Sequence, residues 1–213
     1  MPLLPASTIA VDLPGRGTRP RPLADITIAD FVDAVVEDLE TRDLRDVVLV
    51  GHSLAGITMP GVAARVPKRL ARMVFVSCTV PADGQSTVDT LDPEIQQMAR
   101  ENAGNSEGGR MDDATAVAMF CNDMAPEQTE WTLAHLLPEA PGVPSEPVSL
   151  AGLKEGVPCT WIRLEQDLIV APWKQNLFAE RTNSDIVSLD AAHMAMISRP
   201  EELAALLRPL ATA

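Results

Sequence analysis

The stretch Val47-Val48-Leu49-Val50-Gly51-His52-Ser53-Leu54-Ala55-Gly56 carries an apolar, strand-like run into a serine and then into helix-like sequence. A serine on a tight strand-to-helix turn is held with its hydroxyl exposed. Small residues two before and two after it, here Gly51 and Ala55, let strand and helix come together without collision. The same turn sets the N–H of Leu54 at a helix start, where it can donate to a developing oxyanion. Serine before a helix also serves as an N-cap, the structural alternative for Ser53. A serine hydroxyl attacks a carbonyl only when a base takes its proton, and the chain holds three histidines: His52, His135 and His193. His52 adjoins Ser53 and should point away from its hydroxyl, which leaves packing or a substrate contact. His135 lies among Leu133, Leu136 and Leu137, either as a satisfied, partly buried side chain or as a substrate contact. His193 follows a strand-like run at 185–189 and precedes the last helix, in a loop at a strand's carboxyl edge, and is the expected base. Its second ring nitrogen needs an acceptor. Asp167, just beyond the run at 159–164, is the expected one: Glu165 is too close to the strand end, and a turn-forming role accounts for Asp190. The chemistry implied is acyl transfer through Ser53, with Asp167 orienting His193.

These side chains need a scaffold that brings strand ends together. Apolar runs of strand length alternate with stretches of helical period, the pattern of a mainly parallel sheet covered by helices on both faces. Strands are expected at 8–13, 46–50, 72–78, 159–164 and 185–189. The first of them ends in the turn-rich Pro14-Gly15-Arg16-Gly17. Ile28, Phe31, Val32, Val35, Val36 and Leu39 recur at three-to-four spacing and predict a helix over 26–41. Further helices are expected over 54–65, closed by Val66-Pro67, from about 171 onward, and over 200–210. Between 81 and 150 the sequence turns polar around two helices near 114–120 and 127–137. This segment reads as a small helical cap (81–150) inserted into a core made of 1–80 and 151–213. Trp131, Met124 and Leu136 or Leu137 in it are candidates for the substrate pocket, or for packing the cap onto the core.

A chain of 213 residues, 46% hydrophobic and 22% charged, has the length and composition of one globular domain. Thirty acidic against seventeen basic residues leave a net charge of −13, which repels polyanions and argues against nucleic acid as a partner. The three cysteines, Cys78, Cys121 and Cys159, are too few and too scattered for a disulfide framework or a zinc site, and read as buried thiols. No segment has the make-up of a signal peptide or the length of a membrane span, so a cytoplasmic protein with no membrane partner is expected. Monomer and homodimer both stay open.

Four stretches together make the chain resemble the α/β-hydrolase superfamily, and within it the group of plant methyl esterases, hydroxynitrile lyases and related bacterial esterases. They are Val11-Asp12-Leu13-Pro14-Gly15-Arg16-Gly17, the turn from Gly51 to Gly56, the segment from Glu165 to Gln175, and Asp190-Ala191-Ala192-His193-Met194-Ala195-Met196. The chain order Ser53, Asp167, His193 is the one that fold requires. The resemblance implies an acyl-serine mechanism on small carboxylic esters with neither metal nor organic cofactor, with Ser53, Asp167 and His193 as the triad and Leu54 as one oxyanion donor. In the lyases of the group a lysine commonly follows the histidine; Met194 stands here, which favours ester hydrolysis over cyanohydrin cleavage. A hydroxynitrile lyase-like enzyme or an acyltransferase using the same triad, or a binding protein that has lost activity, are the rivals. Members of the group begin with further strands and a His-Gly loop that supplies the second oxyanion donor, whereas this sequence opens where the following helix should be ending. The expectation is therefore a core lacking the first strands, through a misplaced start, a real loss or degeneration. In the case of a real loss, residues 8–13 would shift beside 46–50 and bring Gly15-Arg16-Gly17 toward the vacant oxyanion position.

Overall fold

The computed structural model describes residues 3–4, 7–102 and 111–211. Part of the expected cap (103–110) and residues 1, 2, 5 and 6 of the opening stretch lie outside the described residues. In chain order the elements are α1 (Ile28–Thr41), β1 (Val47–His52), α2 (Met59–Arg65), β2 (Leu70–Val76), α3 (Pro93–Asn102), α4 (Asp113–Phe120), α5 (Pro126–His135), β3 (Cys159–Leu164), α6 (Pro172–Arg181), β4 (Asp185–Leu189), α7 (Ala195–Ser198) and α8 (Pro200–Leu210). The four strands form one sheet in the order β1-β2-β3-β4, parallel throughout. Helices make the return crossings that parallel neighbours require.

Period-two alternation along the strands builds two cores. Met73, Phe75 and Trp161 join the buried faces of α1, α2 and α6, where Phe75 stacks on Trp161 at 5.6 Å between ring centroids. Their neighbours Val74, Val76, Ile162 and Leu164 pack instead with Ala191, Ala195 and Leu203, on the side of α7 and α8. Helix α1 starts at a reciprocal cap in which Thr27 and Asp30 satisfy each other's backbone N–H groups. It buries Phe31, Val32, Val35, Val36 and Leu39, the apolar stripe legible in the sequence.

Two elements differ from their sequence-based expectation. The single helix expected over 54–65 is a 3-10 helix at Ser53–Ile57 followed by α2. Pro60 is the reason: it has no N–H, and its ring would clash with the carbonyl of Gly56 in a continuous α-helix. Residues 8–13 form no strand. A strand needs a neighbour for its N–H and C=O groups, and among the described residues β1 pairs only with β2. Val11 and Leu13 instead pack against the core beside α1 and α2, and the Asp12 carboxylate accepts from the amide and hydroxyl of Thr18, both at 2.9 Å. The expected shift of 8–13 onto β1 is thus not observed. The Gly15 amide donates to the Arg19 carbonyl at 2.8 Å and is committed to its own turn. The segment between β2 and β3 also holds a third helix, α3, which sequence reading missed.

Candidate active site

Every strand of the sheet delivers a polar side chain just past its carboxyl end. After β1, Ser53 takes a left-handed backbone conformation with φ of +54°, costly for any residue with a Cβ and sustained by tight surroundings. A Cβ on Gly51 would collide with the Met59 sulfur, and one on Gly56 with the Thr79 carbonyl oxygen, so both glycines are needed for the close approach. The turn is tied to the segment after β2: the Thr79 amide donates to the Ser53 carbonyl at 2.9 Å, and the Cys78 thiol to the Gly51 carbonyl at 3.2 Å. Leu54 lies in the first turn of the 3-10 helix, whose leading N–H groups have no acceptor within the helix.

His193, beyond β4, is buried with only 2% of its surface exposed. Its Nε2 lies 2.9 Å from Ser53 Oγ and its Nδ1 2.6 Å from Asp167 Oδ2. A carboxylate only accepts, so the proton sits on Nδ1 and the Nε2 lone pair faces the serine hydroxyl. Asp167 is saturated with donors: Oδ1 takes the amides of Ile169 and Val170 at 2.8 and 3.0 Å, and Oδ2 takes the Ser77 hydroxyl at 2.5 Å besides His193. Burial works against its charge. The hydrogen bond and charge of His193, then Ser77 and the Val170 amide, outweigh burial and hold the carboxyl below its ordinary value.

The remaining candidates are also accounted for. His52 donates from Nε2 to the His193 carbonyl at 2.7 Å, and the two rings sit 4.6 Å apart. Burial, then the neighbouring imidazole, pull its pKa down to about 3, so it stays neutral. His135 donates from Nδ1 to the Trp131 carbonyl at 2.7 Å and stacks on the Trp131 ring at 4.0 Å. Glu165 pairs with Arg163 at 2.7 Å, and Asp190 accepts from the Gln166 amide at 2.6 Å. Met124 is partly buried, with its sulfur 3.4 Å from the Thr132 hydroxyl. Trp131 and Leu137 are 53% and 61% exposed.

Four residues at the site escaped the sequence reading. Ser77 is one; its signal was a serine directly after an apolar strand, the same context as Ser53. Phe120, at the end of α4, stacks over the His193 ring at 5.9 Å. Asp123 accepts the Ala192 amide at 2.9 Å and so holds the histidine loop from the segment between α4 and α5. Gln175 is fully buried behind the acid loop, where its side-chain amide bonds the backbone of Leu164 and Val170.

A serine on a strand-to-helix elbow, in a row with histidine and aspartate along the carboxyl rim of a parallel sheet, defines the α/β-hydrolase class. The chain matches the profile of the alpha/beta hydrolase family over residues 1–206 and belongs to that family. It is 29% identical to a probable hydrolase, R7, of a Phoma species over 95% of this chain and 86% of that protein. It is 25% identical to a carbendazim hydrolyzing esterase of a Nocardioides species, over 87% of this chain and 80% of that one. Methylesterase 7 of Arabidopsis thaliana shares 25% identity over 96% and 85% of the two chains. Among solved structures, an extracellular alpha/beta-hydrolase from a Paenibacillus species superposes with a TM-score of 0.82 at 22% identity, covering 92% of this chain and 84% of the other, a likeness of fold. No helix among the described residues is long and apolar enough to cross a membrane.

Proposed function

We propose that the protein is a serine hydrolase that cleaves small carboxylic esters, with Ser53 as nucleophile, His193 as general base and acid, and Asp167 orienting His193. The observation that carries this reading is the continuous bonded row from Ser53 Oγ through the His193 ring to Asp167, built around a serine held at φ of +54°. Ser53 Oγ attacks the ester carbonyl while its proton passes to His193 Nε2, and the carbonyl oxygen takes the negative charge, stabilised by the Leu54 N–H. When the tetrahedral adduct collapses, the bond to the alcohol oxygen breaks and His193 returns the proton to that oxygen. Water then repeats the sequence on the acyl-serine and releases the acid. Asp167 stays ionised throughout and stabilises the imidazolium formed in each step.

In this reading the segment 81–150 acts as a cap over the core formed by 1–80 and 151–213. Phe120, stacked on the His193 ring, walls the pocket beside the imidazole, while Met124, Trp131 and Leu137 contact the outer part of the substrate. His52 acts on the histidine loop rather than on substrate, in keeping with its bond to the His193 carbonyl. The similarity to a carbendazim hydrolyzing esterase and to a methylesterase supports esters as the substrate class. A cytoplasmic location fits the three free, buried cysteines. Hydrolysis of p-nitrophenyl acetate and of methyl esters by the purified chain, with labelling by a fluorophosphonate probe, tests the function. Both activities should vanish in Ser53→Ala and fall at least a thousandfold in His193→Ala, in line with the roughly 10³-fold or larger losses that follow removal of a triad member. Retention of labelling in Ser53→Ala refutes the assignment of the nucleophile.

A further inference from the structure

Strands β1 and β2 are in register at their carboxyl ends, with His52 opposite Val76. The residues that follow, Ser53 and Ser77, therefore occupy equivalent places on neighbouring strands. They also share an uncommon backbone: φ is +54° at Ser53 and +40° at Ser77, in the region that favours glycine. At Ser53 this conformation presents the hydroxyl to His193. Ser77 is fully buried and its amide donates to the Ile162 carbonyl at 3.0 Å, so the backbone is anchored to β3 while the hydroxyl reaches the far end of the same row. Its partner, Asp167 Oδ2, can only accept, so Ser77 is the donor across the 2.5 Å contact. One carboxylate oxygen thus carries two donors, the Ser77 O–H and the His193 Nδ1–H. The row has four members, one from the end of each strand: Ser53, His193, Asp167 and Ser77.

We propose that Ser77 is a positioning residue of the hydrolytic site: it locks the Asp167 carboxylate in place and, by sharing Oδ2 with the His193 Nδ1–H, moderates the pull of the acid on the imidazole. The proposal rests on the reading of Ser53, His193 and Asp167 as the hydrolytic machinery. Without the hydroxyl, Oδ2 keeps a single donor, the negative charge concentrates on the bond to His193, and the carboxylate gains freedom to turn in a buried site where its geometry is otherwise fixed. Among the described residues, titratable side chains near the row are His52 at the end of β1, Cys78 beside Ser77, and Asp123, which holds Ala192 from the segment between α4 and α5. Burial pushes the Cys78 thiol far up, so it remains uncharged.

The test compares the full chain with Ser77→Ala and Ser77→Gly. Glycine suits the left-handed backbone and removes the hydroxyl without adding strain. Two measurements apply to each folded protein: the far-downfield proton resonance of the His193 Nδ1–H, identified by its loss in His193→Ala, and the rate of fluorophosphonate labelling at Ser53 as a function of pH. The expected result is a cooperative melt for both variants and a displaced resonance. Labelling near neutral pH should slow on the order of tenfold, the scale of one lost hydrogen bond to a charged group, and the acidic limb of the labelling profile should move to higher pH. An unmoved resonance with a superimposable pH profile overturns the proposal and leaves Ser77 as a space-filling residue. Failure of both variants to fold also overturns it, because Ser77 would then serve the fold and not the site. If the folded wild type takes no label, the hydrolytic reading fails, while the resonance comparison still decides whether Ser77 acts on the Asp167–His193 pair.

Discussion

At the scale of single residues, His52 shows how burial turns a titratable side chain into a fixed donor. Its Nε2–H holds the carbonyl of His193, and its pKa of about 3 against an ordinary 6.5 means the folded protein refuses a proton that the unfolded chain accepts. The sign follows from linkage: between those two values the unfolded state binds more protons, so stability rises with pH and is lost as pH falls from 6.5 toward 3. Asp167 acts in a lower window. Its folded value lies below 3.8, so its contribution is complete above that pH and disappears as acid protonates the folded form. Urea unfolding of the wild type should therefore lose a few kcal/mol between pH 7 and pH 4, at about 1.4 kcal/mol per pKa unit. His52→Gln, which keeps an N–H donor but does not titrate, should flatten the curve over that interval. An equally steep curve in the variant would place the titrating group elsewhere.

At the scale of elements, the elbow depends on backbone proximity that no larger residue permits. Gly56 packs so closely on the segment after β2 that a Cβ there would meet the Thr79 carbonyl oxygen and lie 2.8 Å from Cys78 Cβ. Gly56→Ala should accordingly cost about 1–3 kcal/mol by overpacking. Because Thr79 also bonds the Ser53 carbonyl, the same substitution should lower labelling of Ser53 more than a melting temperature alone would suggest; thermal melts and labelling rates measured on one preparation check both. The strands at Cys159–Leu164 and Asp185–Leu189 were legible because apolar runs bounded by turns mark strands wherever they pair, although only the first is buried and the second, at the edge of the sheet, is mostly exposed. Residues 8–13 carry a similar local pattern and fail as a strand, since a strand is completed by its neighbour and not by its own sequence.

At the scale of the whole molecule, the segment between β2 and β3 is fastened to the loops at the carboxyl rim of the sheet. Asp123 holds the Ala192 amide, Asn122 donates to the Gln166 carbonyl at 3.0 Å, and Gln128 donates to the Ile197 carbonyl at 2.7 Å, so this segment is bonded to the loops after β3 and β4 and to α7. Asp123→Ala should leave the fold intact and free the histidine loop. The loss of a hydrogen bond to a charged acceptor, on the order of 1.5–3 kcal/mol, should appear mainly in kcat of ester hydrolysis and less in KM. Steady-state kinetics with the melting temperature as control measures it. Unchanged kcat would mean that the core alone sets the loop. The two edge strands of the sheet are more open: Val50 on β1 and Ile186 on β4 are 45% and 44% exposed, and β1 has no second neighbour among the described residues.

The sequence by itself determined the alternation of strands and helices, the elbow around Ser53, and the short roster of histidines and acids from which a proton relay could be assembled. Those features are local, because periodicity, turn residues and small flanking residues act on contiguous backbone. The tertiary structure alone decided which distant groups touch. Ser53 and His193 lie 140 residues apart and Ser77 and Asp167 lie 90 apart, yet strand register and the crossing of loops at one rim set their distances. That is why Ser77, Phe120 and Asp123 emerged only from the folded chain, and why residues 8–13 lost their strand: side-chain contact and strand pairing are properties of neighbours brought in by folding, which no window of local sequence contains.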